Sequence, residues 1–181
     1  MKKPLMLIAI IASLCYPFAV YWGLQNYDAK LLLPILLVIL AIRWFALDGH
    51  SERKVVLATV LGIITVIFIG GNQLGLKFYP VMMNFGFLVL FGSSLFSATS
   101  FVERLARIKE PDLPHKAIIY TRKVTWAWSL FFLINGTIAM ATALWATDEV
   151  WMLYNGMIAY LLMGLLAGAE WLVRQRVRRD D

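Results

Sequence analysis

Six apolar runs divide this sequence, at residues 4–24, 31–47, 55–70, 79–100, 124–146 and 150–173. Each approaches or meets the roughly 20 residues that a helix needs to cross about 30 Å of hydrocarbon. The fold class this predicts is all-α, a single polytopic transmembrane helix bundle of about six spans. Composition agrees: 61% of the residues are hydrophobic and 15% charged, too few charges to cover the surface of a soluble domain of this length. The second and third runs are the shortest. Arg43, inside the second, would have to snorkel to the interface, and a re-entrant hairpin with four full spans is the alternative.

Charge orients the bundle. On the six-span reading all but Lys30 and Lys77 of the 17 Lys and Arg fall on one side, which the positive-inside rule makes cytoplasmic. Both termini are then inside, and the chain reads as a multi-pass protein of a bacterial inner membrane. The net charge of +6 follows from the same bias, so it is no sign of nucleic acid. Tyr21, Trp22, Tyr27, Tyr79, Trp145, Trp151 and Tyr154 mark the outer rim, and Trp44, Tyr120, Trp126 and Trp171 the inner one. Cys15 is the only cysteine, so no intrachain disulfide forms, and the apolar run continues past it far enough to span without cleavage.

The longest piece outside the runs is residues 101–123. Phe101, Leu105 and Ile108 share one helical face while Glu103, Arg104 and Arg107 lie elsewhere on the wheel, which predicts an amphipathic cytoplasmic extension of the fourth helix, stopped by Pro111 and Pro114. Arg104, Arg107 and Lys109, together with Arg174, Arg176, Arg178 and Arg179 of the basic tail at 174–181, form a candidate surface for the anionic inner leaflet or a protein partner. Such residues contribute about 1 kcal/mol each near anionic lipid.

Within the runs, Asn84, Ser93, Ser97 and Asn135 are the candidate lining of a polar cavity, with Asn135 near mid-span and Asn155 able to join. Ser93, Ser97 and Ser100 recur on one face, but without an intramembrane base nothing activates a serine, and interhelical hydrogen bonding is the simpler use. Gly156, Gly164 and Gly168 mark a helix-packing face that could take this chain or a second copy. No Asp, Glu, Lys or His stands mid-span, which disfavours an ion-coupled pump. Arg43 and Glu170 could pair at the cytoplasmic end. A catalytic or metal set could be drawn only from the inner rim, where His50 and His115 accompany Asp48, Glu52, Glu103 and Asp112, but the spacing matches no ligand motif, and no cofactor motif is read.

The run Phe101-Val-Glu-Arg-Leu105, then Leu113-Pro114, Ala127-Trp128-Ser-Leu-Phe131-Phe132, Gly136 and Trp151 resembles the bacterial intracellular septation protein A family, the inner-membrane-spanning proteins. Where Thr125 stands, and near Ala139, the family pattern carries asparagine, so the chain reads as a divergent sister group. The resemblance implies an inner-membrane protein of the cell envelope, linked to its maintenance or division, without an established catalytic activity. The leading expectation is therefore a scaffold or accessory for envelope maintenance, division or envelope-lipid synthesis. A carrier of a lipid or hydrophobic small molecule is the alternative, and a membrane-interface enzyme using His50 and His115 is the third.

Overall fold

The computed structural model describes residues 2–46 and 50–177, and among them every regular element is helical. The order is α1 (Lys2–Asn26), α2 (Ala29–Ala46), α3 (His50–Lys77), α4 (Tyr79–Ser94), α5 (Phe101–Arg107), α6 (His115–Trp145), α7 (Asp148–Leu153), a π turn (Tyr154–Ile158) and α8 (Ala159–Val177). The side chains of Arg43, His50 and Glu52, and the whole of Asp48, Arg178 and Arg179, lie outside the described residues.

Among those residues, three helical stretches are long and apolar enough to cross a membrane: Val56–Lys77, His115–Trp145 and Asp148–Arg176. Ala29–Ile42 and Tyr79–Ser94 are apolar but shorter. The fourth run differs most from its expected length. It leaves the helix at Ser94, and α5 is a separate helix rather than an extension of α4. The cause is local: the Ser94 hydroxyl donates to the Phe91 carbonyl and accepts from the Phe101 amide, and Ser100 with Glu103 forms a capping box that starts a new helix. Conversely, α6 begins at His115, well before the apolar run at 124, because Pro114 is an acceptable residue before a helix and nothing behind it breaks the ladder.

The passages run antiparallel to their neighbours, α1 on α2, α2 on α3, α3 on α4 and α4 on α6, with α4 and α6 in the most extensive contact. One core unites α1, α2, α3 and the last passage through Tyr16, Val20, Leu36, Leu40, Ile63, Leu76 and Trp151. The Tyr16 hydroxyl donates to the Leu76 carbonyl at 2.9 Å. Helix α3 turns at Gly71, whose φ of 80° lies where a side chain would strain the backbone, and its last turn then reaches α7.

That end is closed by an ion pair. Lys77, buried, meets Asp148, while Trp151 donates its indole N–H to the Lys77 carbonyl at 3.2 Å. Trp151 is therefore a fully buried strut rather than the rim anchor its position suggests, whereas Trp22 and Trp145 are exposed as expected. Asp148→Asn should lower the unfolding free energy in mild detergent by about 2–3 kcal/mol, somewhat under the roughly 3–5 kcal/mol of a fully buried pair because Asp148 is partly exposed. Lys77→Met, which removes the buried charge itself, should cost clearly less. Equal losses in equilibrium unfolding would refute this asymmetry.

Candidate functional site

The second core is a polar seam. Helix α6 turns Thr121, Thr125, Ser129, Asn135 and Ala139 inward, and each is buried. Gly136 lets α4 approach so closely that a Cβ there would stand 3.0 Å from the Cβ of Asn84. At this crossing the Asn135 amide donates to Asn84 Oδ1 at 2.9 Å, the Tyr154 hydroxyl donates to Asn135 Oδ1 at 2.8 Å, and Asn84 Nδ2 donates to the Pro80 carbonyl at 2.8 Å. The chain of bonds joins α4, α6 and the π turn. A π turn inserts an extra residue into the helical ladder, and here two successive side chains both reach α6. Asn155 spends its two amide protons on Thr142 Oγ1 at 3.1 Å and the Trp151 carbonyl at 2.9 Å.

Beside this network lies a cavity of about 270 Å³, bounded by α1, the first half of α4, mid α6, the π turn and α8. Asn84, Asn135 and Asn155 supply its amides, and Ser13, Tyr79 and Tyr160 its hydroxyls. Ser13 Oγ and the Tyr79 hydroxyl stand 3.2 Å apart, and the Tyr160 hydroxyl donates to the Ser13 carbonyl at 2.9 Å. The remaining wall is apolar, chiefly Leu14, Met83, Phe87, Phe132 and Met163. Two of the four residues expected in a cavity, Asn84 and Asn135, are thus brought together. Ser93 and Ser97 are not: Ser93 lies half-buried in the last turn of α4 and Ser97 is exposed beyond its end, so the regular face on which they were grouped does not exist. Sequence reasoning missed the cavity roles of Ser13, Tyr79 and Tyr160 and the network role of Tyr154; Tyr79 and Tyr154 read as rim aromatics. The four-residue spacing of Trp151, Asn155 and Ala159, all buried, was the signal available.

At the opposite end a compact elbow replaces the expected extension of the fourth helix. The Val102 amide donates to Thr125 Oγ1 at 3.3 Å, Arg122 donates to the Leu95 carbonyl at 2.5 Å, and Phe91, Phe101, Trp128, Phe131 and Phe132 pack ring on ring. Arg107 is not free for a partner: its Nε and Nη2 both donate to Glu103 Oε1, and its Nη1 to the Pro111 carbonyl. Arg104 and Lys109 remain exposed, as do Arg174 and Arg176. Glu103, occupied in this way, does not converge with His115, and among the described residues no group of three His, Cys, Asp or Glu could hold a metal. Glu170 lies beside Tyr120 and Arg174, at 3.3 and 3.6 Å, and its expected partner Arg43 has its side chain outside the described residues.

The glycine face is split. A Cβ on Gly156 would meet the Phe18 ring at 3.0 Å, whereas Gly164 and Gly168 have nothing within 4 Å. Gly156→Ala should therefore destabilise the bundle, while Gly164→Ala and Gly168→Ala should be neutral or gain up to about 1 kcal/mol from helix propensity. Thermal unfolding in detergent checks this, and a loss at Gly164 or Gly168 would reveal a packing partner for that face.

No family model matches the chain, and no curated protein or solved structure is significantly similar to it.

Proposed function

We propose that this chain is a six-pass inner-membrane protein with both ends in the cytoplasm, and that its bundle carries a lipid or hydrophobic small molecule in the cavity between α1, α4, α6 and α8. The observation that carries this reading is the cavity itself: an apolar chamber with amides and hydroxyls grouped on its wall, held open by side chains already bonded to one another. Small-molecule sites share that combination of mostly apolar lining and a few placed polar groups. Three long apolar helices support membrane insertion, and α1, α2 and α4 supply the further spans, the shorter ones being accommodated by local thinning of the bilayer. The bias of Lys and Arg to one side supports the orientation. Polar groups at membrane depth persist where neighbours or a bound molecule satisfy them, and here neighbours bond to each of the three amides.

The test is compositional. Purified in native nanodiscs, the full chain should carry one lipid or small molecule enriched over the bulk membrane, and Met163→Trp, which fills the cavity, should remove it while the protein still unfolds cooperatively. A lipid profile identical to bulk for both proteins would refute the carrier reading.

A specific observation also favours a scaffold or accessory role. The elbow presents exposed Leu105 and Ile108 beside Arg104 and Lys109 on a helix braced against α6, a rigid amphipathic surface suited to the anionic inner leaflet or to an envelope protein docked there. On this reading the chain serves envelope maintenance, division or envelope-lipid synthesis, in keeping with its resemblance to septation protein A, and a second copy is one candidate partner. Arg104→Gln with Lys109→Gln should reduce co-purified anionic phospholipid or partner protein several-fold without changing stability, whereas Arg107→Gln should cost stability by about 1 kcal/mol through the loss of its bonds to Glu103 and Pro111.

A further inference from the structure

The carrier reading leaves the chemistry of the cargo open, and the cavity wall narrows it. None of the residues lining the cavity is a Lys, Arg or His, and none is an Asp or Glu. A carboxylate or phosphate head seated there would be a buried charge without a counter-ion, which apolar surroundings penalise by several kcal/mol. An ammonium head meets the same objection. A plain hydrocarbon is equally ill-suited, because the amides on the wall are not all used by the protein.

The accounting is explicit. A side-chain amide has two protons to donate and a carbonyl oxygen that accepts. Asn84 spends one proton on Pro80 and Asn135 spends one on Asn84, so among the described residues each keeps a proton with no acceptor. Asn155 is the complement: both of its protons are committed, to Thr142 and Trp151, and its carbonyl oxygen accepts from no group among the described residues. All three residues are more than nine-tenths buried, and all three line the cavity. Among the three amides the unspent groups are therefore two protons and the Asn155 oxygen, beside the hydroxyls of Ser13, Tyr79 and Tyr160 on the same wall. Asn155 is held by Thr142, which stands two turns of α6 beyond Asn135, a rise of about 10 Å along that helix, so the amides approach the cavity from different turns. A head with several oxygens meets groups on different turns more fully than one isolated hydroxyl does.

Resting on the carrier reading, we propose that the cavity takes an uncharged lipid of the acylglycerol type, whose ester oxygens accept from Asn84 and Asn135 and whose free hydroxyl donates to Asn155, with Met83, Phe87, Phe132 and Met163 against its acyl chain. The volume of about 270 Å³ is near the lower end of the roughly 300–1,000 Å³ of small-molecule sites, so the head and first methylenes fill the chamber and the rest of the chain lies along the bundle in lipid.

The experiment is photo-crosslinking of the full chain in nanodiscs with a diazirine-bearing monoacylglycerol, competed by unlabelled lipids of the same chain length. Monoacylglycerol should compete at a concentration about tenfold or more below the free fatty acid and the hydrocarbon, since a site built to hydrogen-bond a head group discriminates strongly against one that lacks it. The long-chain alcohol should fall between, which separates a glycerol ester from a lone hydroxyl as the source of recognition. Asn155→Leu should bring monoacylglycerol down toward the alcohol, and because the panel is run on the unaltered chain, the test stands even if that variant does not fold. Equal or better competition by the fatty acid, the alcohol or the hydrocarbon overturns the acylglycerol assignment while leaving a carrier. Labelling that no member of the panel competes away is non-specific and overturns the carrier reading itself.

Discussion

The close antiparallel approach of α4 and α6 is the contact on which the rest of this bundle depends. In the proposed membrane setting helices gain nothing hydrophobic from association, so the seam relies on backbone proximity, dispersion and hydrogen bonds made where water is absent. Gly136 and the fully buried Ala139 permit the approach, and the Asn135 to Asn84 bond sits at its centre. The hydroxyls below it, Thr125 and Ser129, bond back to carbonyls of their own helix, which lets them lie in the seam without an unsatisfied donor. With α4 held there, its first turns are aimed at α1 and the π turn, and its last turn at α5.

The cavity and the elbow are consequences of that one seam at two heights. Above the Asn135 crossing the π turn widens the last passage so that Tyr154 and Asn155 both face α6, and α8 departs from α1 far enough to leave space lined by Met163 and Ala159. Below it Phe87, Phe91 and Phe132 pack ring against ring, and Phe87 and Phe132 form the lower wall of the cavity. The Lys77 pair with Asp148 fixes the upper end of α3 to the start of the last passage, so the walls of the cavity are tied from both sides. A site of this kind is preorganised: its polar groups hold their positions through bonds to each other, and a ligand has only its own freedom to lose.

How much of this was legible depends on the range of the interaction. Asn84 and Asn135 stood out because an amide inside an apolar run is costly and must find a partner, although nothing in their spacing says that the partner is the other amide. Ser93 and Ser97 looked like their companions only on the assumption that the helix continued, and the Ser94 and Ser100 side chains end it by bonding to the backbone instead. The basic residues of the elbow were equally visible, yet the division of labour between Arg107, which braces the turn, and Arg104, which faces out, is set by where Glu103 lies. Tyr79 and Trp151 carried the signature of interface aromatics and are core residues, because α3 turns at Gly71 and brings its last turn over them.

By itself the sequence determined the helical class, the positions of the apolar passages and the asymmetry of charge, because each follows from local composition acting against a bilayer of known thickness. Only the tertiary structure decided which polar groups meet, which glycines are covered, and where space is left between helices. Those depend on the rotation and depth of each helix against its neighbours, which a four-residue repeat constrains to a face but not to a partner.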